Sequence, residues 1–148
     1  MSKGWKRFWS VVFFLYLAVL VYVLFFSARF GRTQGSIHGV NLTPFAEISR
    51  YWKGSEGLTD SMFWLNIGGN IAAFLPLGFF VPLLTRTRWY GVFTMAIVYV
   101  ASLGAELLQY ALNIGSFDID DILLNTLGGL LGVLLFACVN SHLAEEDE

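Results

Sequence analysis

Polar side chains that could take part in chemistry gather in one part of this apolar chain, residues 104–132. They are carboxylates and amides: Glu106, Gln109, Asp118, Asp120, Asp121 and Asn125. Paired carboxylates can act as general acid and base or hold Mg²⁺, and amides can position a ligand. Because a carboxylate at the centre of a bilayer-spanning helix costs roughly 2.5–3.5 kcal/mol on insertion scales, these side chains are candidates for a functional site.

The elements that position these side chains are expected to be membrane-spanning helices. Of the 148 residues, 56% are hydrophobic and 14% are charged, whereas soluble domains carry about 25% charged residues. Four apolar segments are each long enough to cross a bilayer, approximately residues 8–26, 62–84, 89–112 and 119–139. The predicted fold is therefore an all-α membrane protein, a four-transmembrane-helix bundle that forms a single domain over residues 1–148 and carries an acidic tail at 140–148.

The long connection between the first two helices, residues 27–61, contains a segment with helical spacing. Thr43 and Pro44 are typical of a helix start, and apolar residues follow at helical intervals. Basic residues on one side of this segment and aromatic residues on the other predict a short helix that lies in the membrane interface. The alternative is a solvated loop with one amphipathic turn.

Polar residues of the predicted helices converge near one face of the membrane. Four spans place both termini at one face, and we call the opposite face, which carries residues 27–61 and 113–117, face B. The candidate residues lie in the parts of the last three helices next to face B: Asn66, Asn70, Glu106, Gln109, Asp118, Asp121 and Asn125. At about 1.5 Å rise per residue, Asn70 and Glu106 lie roughly 9–12 Å inside the bilayer. This arrangement predicts a polar pocket open to face B, roofed by a connection that supplies Arg29, Arg32, Arg50 and Lys53.

Helical periodicity assigns directions to the residues that open the fourth helix. Asp118, Asp121 and Asn125 share one stripe, whereas Asp120 points away from it. Asp118 is also a natural N-cap for this helix, and capping is the alternative to a functional role for its carboxylate.

Charge and small residues indicate the orientation of the chain and its partners. Basic residues are slightly more numerous on the side of the termini, which favours cytoplasmic N- and C-termini.

The few basic residues flank the helices instead of forming a patch, so nucleic acid is not expected as a partner. Gly128 and Gly132 form a small-xxx-small pair, a surface for close helix packing through which a homo-oligomer could form.

Four short motifs together resemble the VanZ-like family. They are NLTPF (41–45), NIAAFLPLGFF (70–80), AELLQ (105–109) and FDIDDILLNTLGGLLG (117–132), and their order and spacing extend the resemblance over about residues 8–139. The resemblance implies a multi-pass protein of a bacterial cell membrane. The family's namesake is associated with resistance to teicoplanin, a glycopeptide with a fatty-acyl tail. No settled biochemical activity comes with the resemblance.

The resemblance also singles out individual positions. The recurring positions of the family correspond here to Asn41, Pro44, Asn70, Pro76, Gly78, Glu106, Gln109, Asp118, Asp121, Asn125 and Gly128. One position departs from the pattern, because family members often carry an arginine three residues before the first aspartate of the last motif, where this chain has Gly115. If that arginine pairs with a carboxylate or a phosphate, another basic residue must replace it here or the function is absent.

Three functional hypotheses from different classes fit these residues. The first is a shielding protein in the outer leaflet that reduces access of a lipid-tailed glycopeptide to lipid-linked cell-wall precursors. The second is a small membrane enzyme acting on a lipid-linked head group, with Glu106, Asp121 or Asp118 as catalytic carboxylates and a divalent cation as a candidate cofactor. The third is an ion or proton pathway, which would need an oligomer because the polar groups occupy one leaflet.

The candidate ligand-binding residues are the same under the first two hypotheses: Asn41, Asn66, Asn70, Gln109, Asn125, Arg29, Arg32 and Arg50. The arginines could hold a phosphate, and the amides could hold a head group. The structural alternative is a network of hydrogen bonds that joins the helices and binds no ligand, since interhelical hydrogen bonds are common in membranes.

Overall fold

The computed structural model describes residues 3–26, 39–46, 49, 60–85 and 87–145. These residues form four long helices and two very short strands: α1 (Lys3–Phe26), β1 (Val40–Asn41), α2 (Asp60–Thr85), α3 (Tyr90–Ala111), β2 (Phe117–Asp118) and α4 (Ile119–Glu145). All four helices are long and apolar enough to cross a membrane. The predicted four-helix membrane fold is therefore confirmed.

Two helices extend beyond the predicted spans. α1 begins at Lys3, well before residue 8, and α4 continues through Glu145, whereas its predicted span ends at 139. The extension of α4 contains neither glycine nor proline, and its Leu, Ala and Glu residues are good helix formers. The first residues of the predicted acidic tail are therefore helical.

The predicted interfacial helix lies mostly outside the described residues, which include only 43–46 and 49 of it. Residues 43–45 form a turn, with Phe45 at a φ of 63°, and Ala46 and Ser49 are helical. The helix start predicted at Thr43 and Pro44 is not observed: Phe45 has a left-handed φ, outside the helical region, and Ala46 is the first helical residue.

The tightest helix packing is between α2 and α4, which make the most extensive contact between described helices. A methyl group at Gly78 would overlap the carbonyl oxygen of Gly129, and one at Gly128 would overlap that of Ile71. Gly132 approaches the backbone of α2 in the same way. The small-xxx-small surface is thus occupied within the chain, and a homo-oligomer through Gly128 and Gly132 stays an untested prediction.

α2 contains two prolines, Pro76 and Pro82, which remove backbone donors from the helix. The Tyr16 hydroxyl of α1 donates to the carbonyl oxygen of Ala73 at 2.7 Å. Pro76 lacks the N–H that would bond to the Ala72 carbonyl, and the Tyr16 hydroxyl bonds to the carbonyl of the next residue. Tyr16 also packs on Phe80. Together these contacts fix α1 against the part of α2 around Pro76.

Candidate functional site

The candidate site begins where two connections meet at face B. β1 and β2 pair in parallel, with Val40 opposite Phe117 and Asn41 opposite Asp118. The amide of Phe117 also donates to the carbonyl oxygen of Gly39 at 3.1 Å. This pairing holds residues 39–46, which we call the docked segment, against the turn that joins α3 to α4.

The end of α3 directs the chain into this pairing. Asn113 has a φ of 58°, a left-handed conformation that asparagine tolerates better than most residues. The amide of Ile114 donates to the Gln109 carbonyl at 3.1 Å, and that of Asn113 donates to the Tyr110 carbonyl at 3.2 Å. These two bonds form a Schellman motif, which ends the helix and satisfies its last carbonyls.

Asp118 joins the docked segment to the start of α4. Its two carboxylate oxygens accept hydrogen bonds from Nδ2 of Asn41 at 3.1 and 3.2 Å. Its Oδ1 also accepts from the amide of Asp120 at 2.8 Å, which is the N-cap bond predicted from the sequence. One carboxylate thus caps the helix and binds the docked segment.

The place where the docked segment meets α3, β2 and the start of α4 is called the junction below. The last turns of α3 supply two buried polar side chains to it. Glu106 is 1% exposed, and its Oε2 accepts a hydrogen bond from the Asp118 amide at 3.0 Å. Gln109 is fully buried, and its Nε2 donates to the carbonyl oxygen of Leu24 at 2.8 Å. α3 therefore anchors both β2 and the end of α1.

Asp120 also belongs to the junction, although it lies off the stripe that Asp118, Asp121 and Asn125 form. It is 1% exposed, and its carboxylate accepts a hydrogen bond from the Phe45 amide. The docked segment therefore covers a further side of α4, which helical periodicity alone does not indicate. The sequence signal for this contact is a further acidic residue in the first turn of α4. Asp118 alone is enough to cap the helix, so the carboxylate of Asp120 is available for a different partner.

Asp121 faces α2 instead of the docked segment. Nδ2 of Asn70 donates to Asp121 Oδ1 at 2.6 Å and to Asn66 Oδ1 at 3.2 Å. The predicted stripe of α4 is thus divided between neighbours, because Asp118 contacts α3 and Asp121 contacts α2. Asn66 and Asn70 share a face of α2, as their spacing predicts.

The deepest polar pair joins α4 to α3. Nδ2 of Asn125 donates to the Ser102 hydroxyl at 2.9 Å, and both residues are buried. Among the described residues, Asn125 Oδ1 and Thr94 Oγ1 are buried without a hydrogen-bond partner. Sequence reasoning did not single out Ser102 or Thr94, because single hydroxyl residues are common in membrane helices.

The described residues do not test the predicted divalent cation or the predicted basic residues. Within the described ranges, no group of three or more His, Cys, Asp or Glu residues could hold a metal ion. The predicted phosphate-binding residues Arg29, Arg32 and Arg50 lie outside those ranges, as does Lys53. The described part of the site is a junction of carboxylates, amides and backbone groups.

Comparison with known proteins assigns the chain to a family. The family model VanZ/LLP1 matches residues 13–140, a range that contains all the junction residues. The chain belongs to the VanZ/LLP1 family. It is 27% identical over 135 residues to Protein VanZ of Enterococcus faecium, a match that covers 89% of this chain and 75% of that protein. No solved structure matches it.

The structure gives the recurring positions of the VanZ/LLP1 resemblance a physical role. Asn41, Glu106 and Asp118 hold the docked segment against α3 and α4. Gly128 allows the close approach of α2 and α4. Gly115, where the resemblance implies an arginine in many members, is buried in the turn before β2.

We expect the Asn125–Ser102 contact to contribute measurably to stability. Ser102→Ala should lower the free energy of unfolding by about 1–2 kcal/mol, because it leaves the buried Asn125 amide without this acceptor. Asn125→Leu should cost a similar amount, and the double variant should lose less than the sum of the two. Unfolding of the purified protein in detergent measures all three. Additive losses would contradict a direct contact between these side chains.

Proposed function

We propose that this protein lowers susceptibility to lipid-tailed glycopeptides such as teicoplanin by acting at face B. Membership of the VanZ/LLP1 family and the similarity to VanZ support a membrane protein linked to glycopeptide resistance. The observation that carries the finer proposal is the buried junction beneath the docked segment, where Glu106 is 1% and Asp118 is 7% exposed. Buried carboxylates in a membrane protein are costly and mark functional sites by default.

The proposed action is shielding at the outer leaflet. The N- and C-termini are cytoplasmic in this proposal, and face B lies outside, where a lipid-tailed antibiotic meets lipid-linked precursors of the cell wall. The docked segment lies over the junction, and in this proposal it helps to bind a membrane lipid or the precursor's head group. The antibiotic then reaches its target less often.

The hydrogen bonds of the carboxylates favour positioning over catalysis. Glu106 accepts from the Asp118 amide, and Asp121 accepts from Asn70. Both carboxylates therefore orient groups of the protein itself, which supports a shaped binding face. The enzyme hypothesis, with Glu106 and Asp121 as acid and base or as ligands of a divalent cation, is the second candidate and is separated from shielding by the variants below.

Expression in a susceptible Gram-positive host tests the proposal. We expect the wild-type protein to raise the inhibitory concentration of teicoplanin but not that of vancomycin, which lacks a fatty-acyl tail. Glu106→Gln and Asp121→Asn remove the negative charge and keep the shape, and they should lose most of this protection if charge at the junction is required. Ser116→Ala, at an exposed position of the same turn, is the matched control and should protect like the wild type.

The comparison is made at equal amounts of protein in the membrane. A wild-type protein that changes the effect of neither drug contradicts the proposed function. If the wild type protects and both isosteric variants protect equally well, the junction acts only as a structural network. Turnover of a lipid-linked head group by the wild type, lost in Glu106→Gln, would instead favour the enzyme.

A further inference from the structure

A large apolar cleft separates α1 from α3 along most of the length of α3. Its volume is about 590 Å³, within the range of roughly 300–1,000 Å³ typical of small-molecule sites. Leu17 and Leu20 line it on α1, and Ile97 and Ala101 line it on α3, with Phe74 of α2 at its floor. Protein interiors are close-packed, so a cleft of this size between helices is a candidate ligand site.

The lining fits a hydrocarbon chain and no polar ligand. Of the described residues that form the lining, Thr85 alone has a polar side chain. The Thr85 hydroxyl donates to the carbonyl oxygen of Val81 at 2.8 Å, so its donor is already engaged. A polar ligand or a water column inside this cleft would lack hydrogen-bond partners there, which costs free energy.

The shape of the cleft fits one extended chain. Its lining on α3 runs from Phe93 to Leu108, which corresponds to about 22 Å along the helix axis. This length covers most of the hydrocarbon thickness of a bilayer, about 30 Å. The cleft is therefore long in the direction in which acyl chains lie.

The two ends of the cleft differ in chemistry. At the face-B end, Leu24 and Leu108 line the cleft, and the Leu24 carbonyl accepts the hydrogen bond from Gln109 of the junction. This bond ties α1 to α3 at one end, and the packing of Phe13 and Tyr16 on Phe80 holds α1 against α2 further along. Among the described residues, the cleft is thus framed by the Gln109–Leu24 bond at face B and by Thr85 at the opposite end.

We propose that this cleft binds one fatty-acyl chain of a membrane phospholipid whose head group lies at face B. The chain packs between α1 and α3, and the head group lies at the membrane surface beyond Leu24 and Leu108, which line the face-B end of the cleft. A single-chain amphiphile offers the same hydrocarbon chemistry, and the test below distinguishes the two. The inference goes beyond the protective role above, because binding is a property of the purified protein without any antibiotic.

Photo-crosslinking in the purified, reconstituted protein tests the site. The probes are a phosphatidylglycerol with a diazirine on one acyl chain and, separately, a diazirine fatty acid. We expect mass spectrometry to locate adducts on cleft residues such as Leu17 and Leu20, in excess over Leu15 and Val19, which are exposed on the other side of α1. As the mole fraction of probe rises, the cleft adducts should saturate, whereas adducts on the other side of α1 should rise in proportion to it.

Two glycines of α3 provide a matched pair of variants. No described atom lies within 4 Å of a Cβ at Gly104 or at Gly91, but only Gly104 lines the cleft. Gly104→Phe should fill the cleft and reduce its labelling by about tenfold, since overpacking by a ring excludes the chain. Gly91→Phe should leave the labelling unchanged. If Gly104→Phe does not fold, Ala101→Phe blocks the same cleft from an exposed position.

The outcomes separate the sources and can overturn the proposal. Labelling of the cleft by the phospholipid supports a membrane lipid as the occupant, and labelling by the fatty acid alone supports a single-chain amphiphile. Equal labelling of both sides of α1, or cleft labelling that persists in the filling variants, would show only general lipid contact and would overturn the proposal. Neither result depends on whether the protein protects against teicoplanin.

Discussion

Gly78→Ala is expected to separate α2 from α4 and to remove most of the folded protein from the membrane. A Cβ at this position would lie 2.8 Å from the carbonyl carbon of Gly129 and 2.9 Å from its Cα. These are backbone atoms, which cannot rotate away as a side chain can. Overpacking typically costs about 1–3 kcal/mol, and a clash with backbone should reach or exceed the upper end of that range.

Gly68→Ala is the control for this variant, because it makes the same change in the same helix where no described atom lies within 4 Å of the new Cβ. We expect it to be neutral or slightly stabilising, since alanine is the better helix former by about 1 kcal/mol. Membrane abundance and thermal unfolding in detergent measure both variants. If the Gly78→Ala variant were as stable as the Gly68→Ala variant, this result would contradict the close packing of α2 on α4.

The second large effect is expected at Glu106, where the hydrogen-bond acceptor and the negative charge can be removed separately. Glu106→Leu removes the acceptor for the Asp118 amide in a site that is 1% exposed. An unsatisfied buried amide costs about 1–3 kcal/mol, and the strand pairing next to it should weaken. Glu106→Gln keeps an acceptor oxygen and should preserve the pairing.

A disulfide across the strands reports this effect directly. In a Cys138→Ser background, Val40→Cys and Phe117→Cys introduce thiols at paired positions of β1 and β2, and neighbouring strands lie about 4.7–4.9 Å apart. We expect efficient oxidation to a disulfide in the otherwise wild-type protein and in Glu106→Gln, with a clearly lower yield in Glu106→Leu. An undiminished yield in Glu106→Leu would mean that Glu106 does not hold the junction together.

The helices could be predicted from the sequence because their signal is local. Runs of apolar residues define α1 to α4, and the Asn66–Asn70 spacing placed both amides on one face of α2. The small-xxx-small pair in α4 correctly indicated a close helix contact. It could not indicate the partner, because the same small surface suits a helix of the same chain or of another.

The junction could be predicted only in part, because its contacts join distant residues. Asn41 and Asp118 are 77 positions apart, and strands of two residues are too short to show an alternating pattern. Periodicity placed Asp120 off the stripe but could not indicate its partner, the Phe45 amide. The docked segment covers a second side, and only the tertiary structure reveals that.

The parallel pairing of β1 with β2 also imposes an order on biosynthesis. β1 emerges from the ribosome early, but its partner follows only after α2 and α3 have been made. Until then the Asn41 amide and the Phe45 backbone have no access to the two aspartates that bind them in the finished protein. The face-B junction is consequently completed only once α4 has begun, so a chain interrupted before that point can insert its helices and still lack the site.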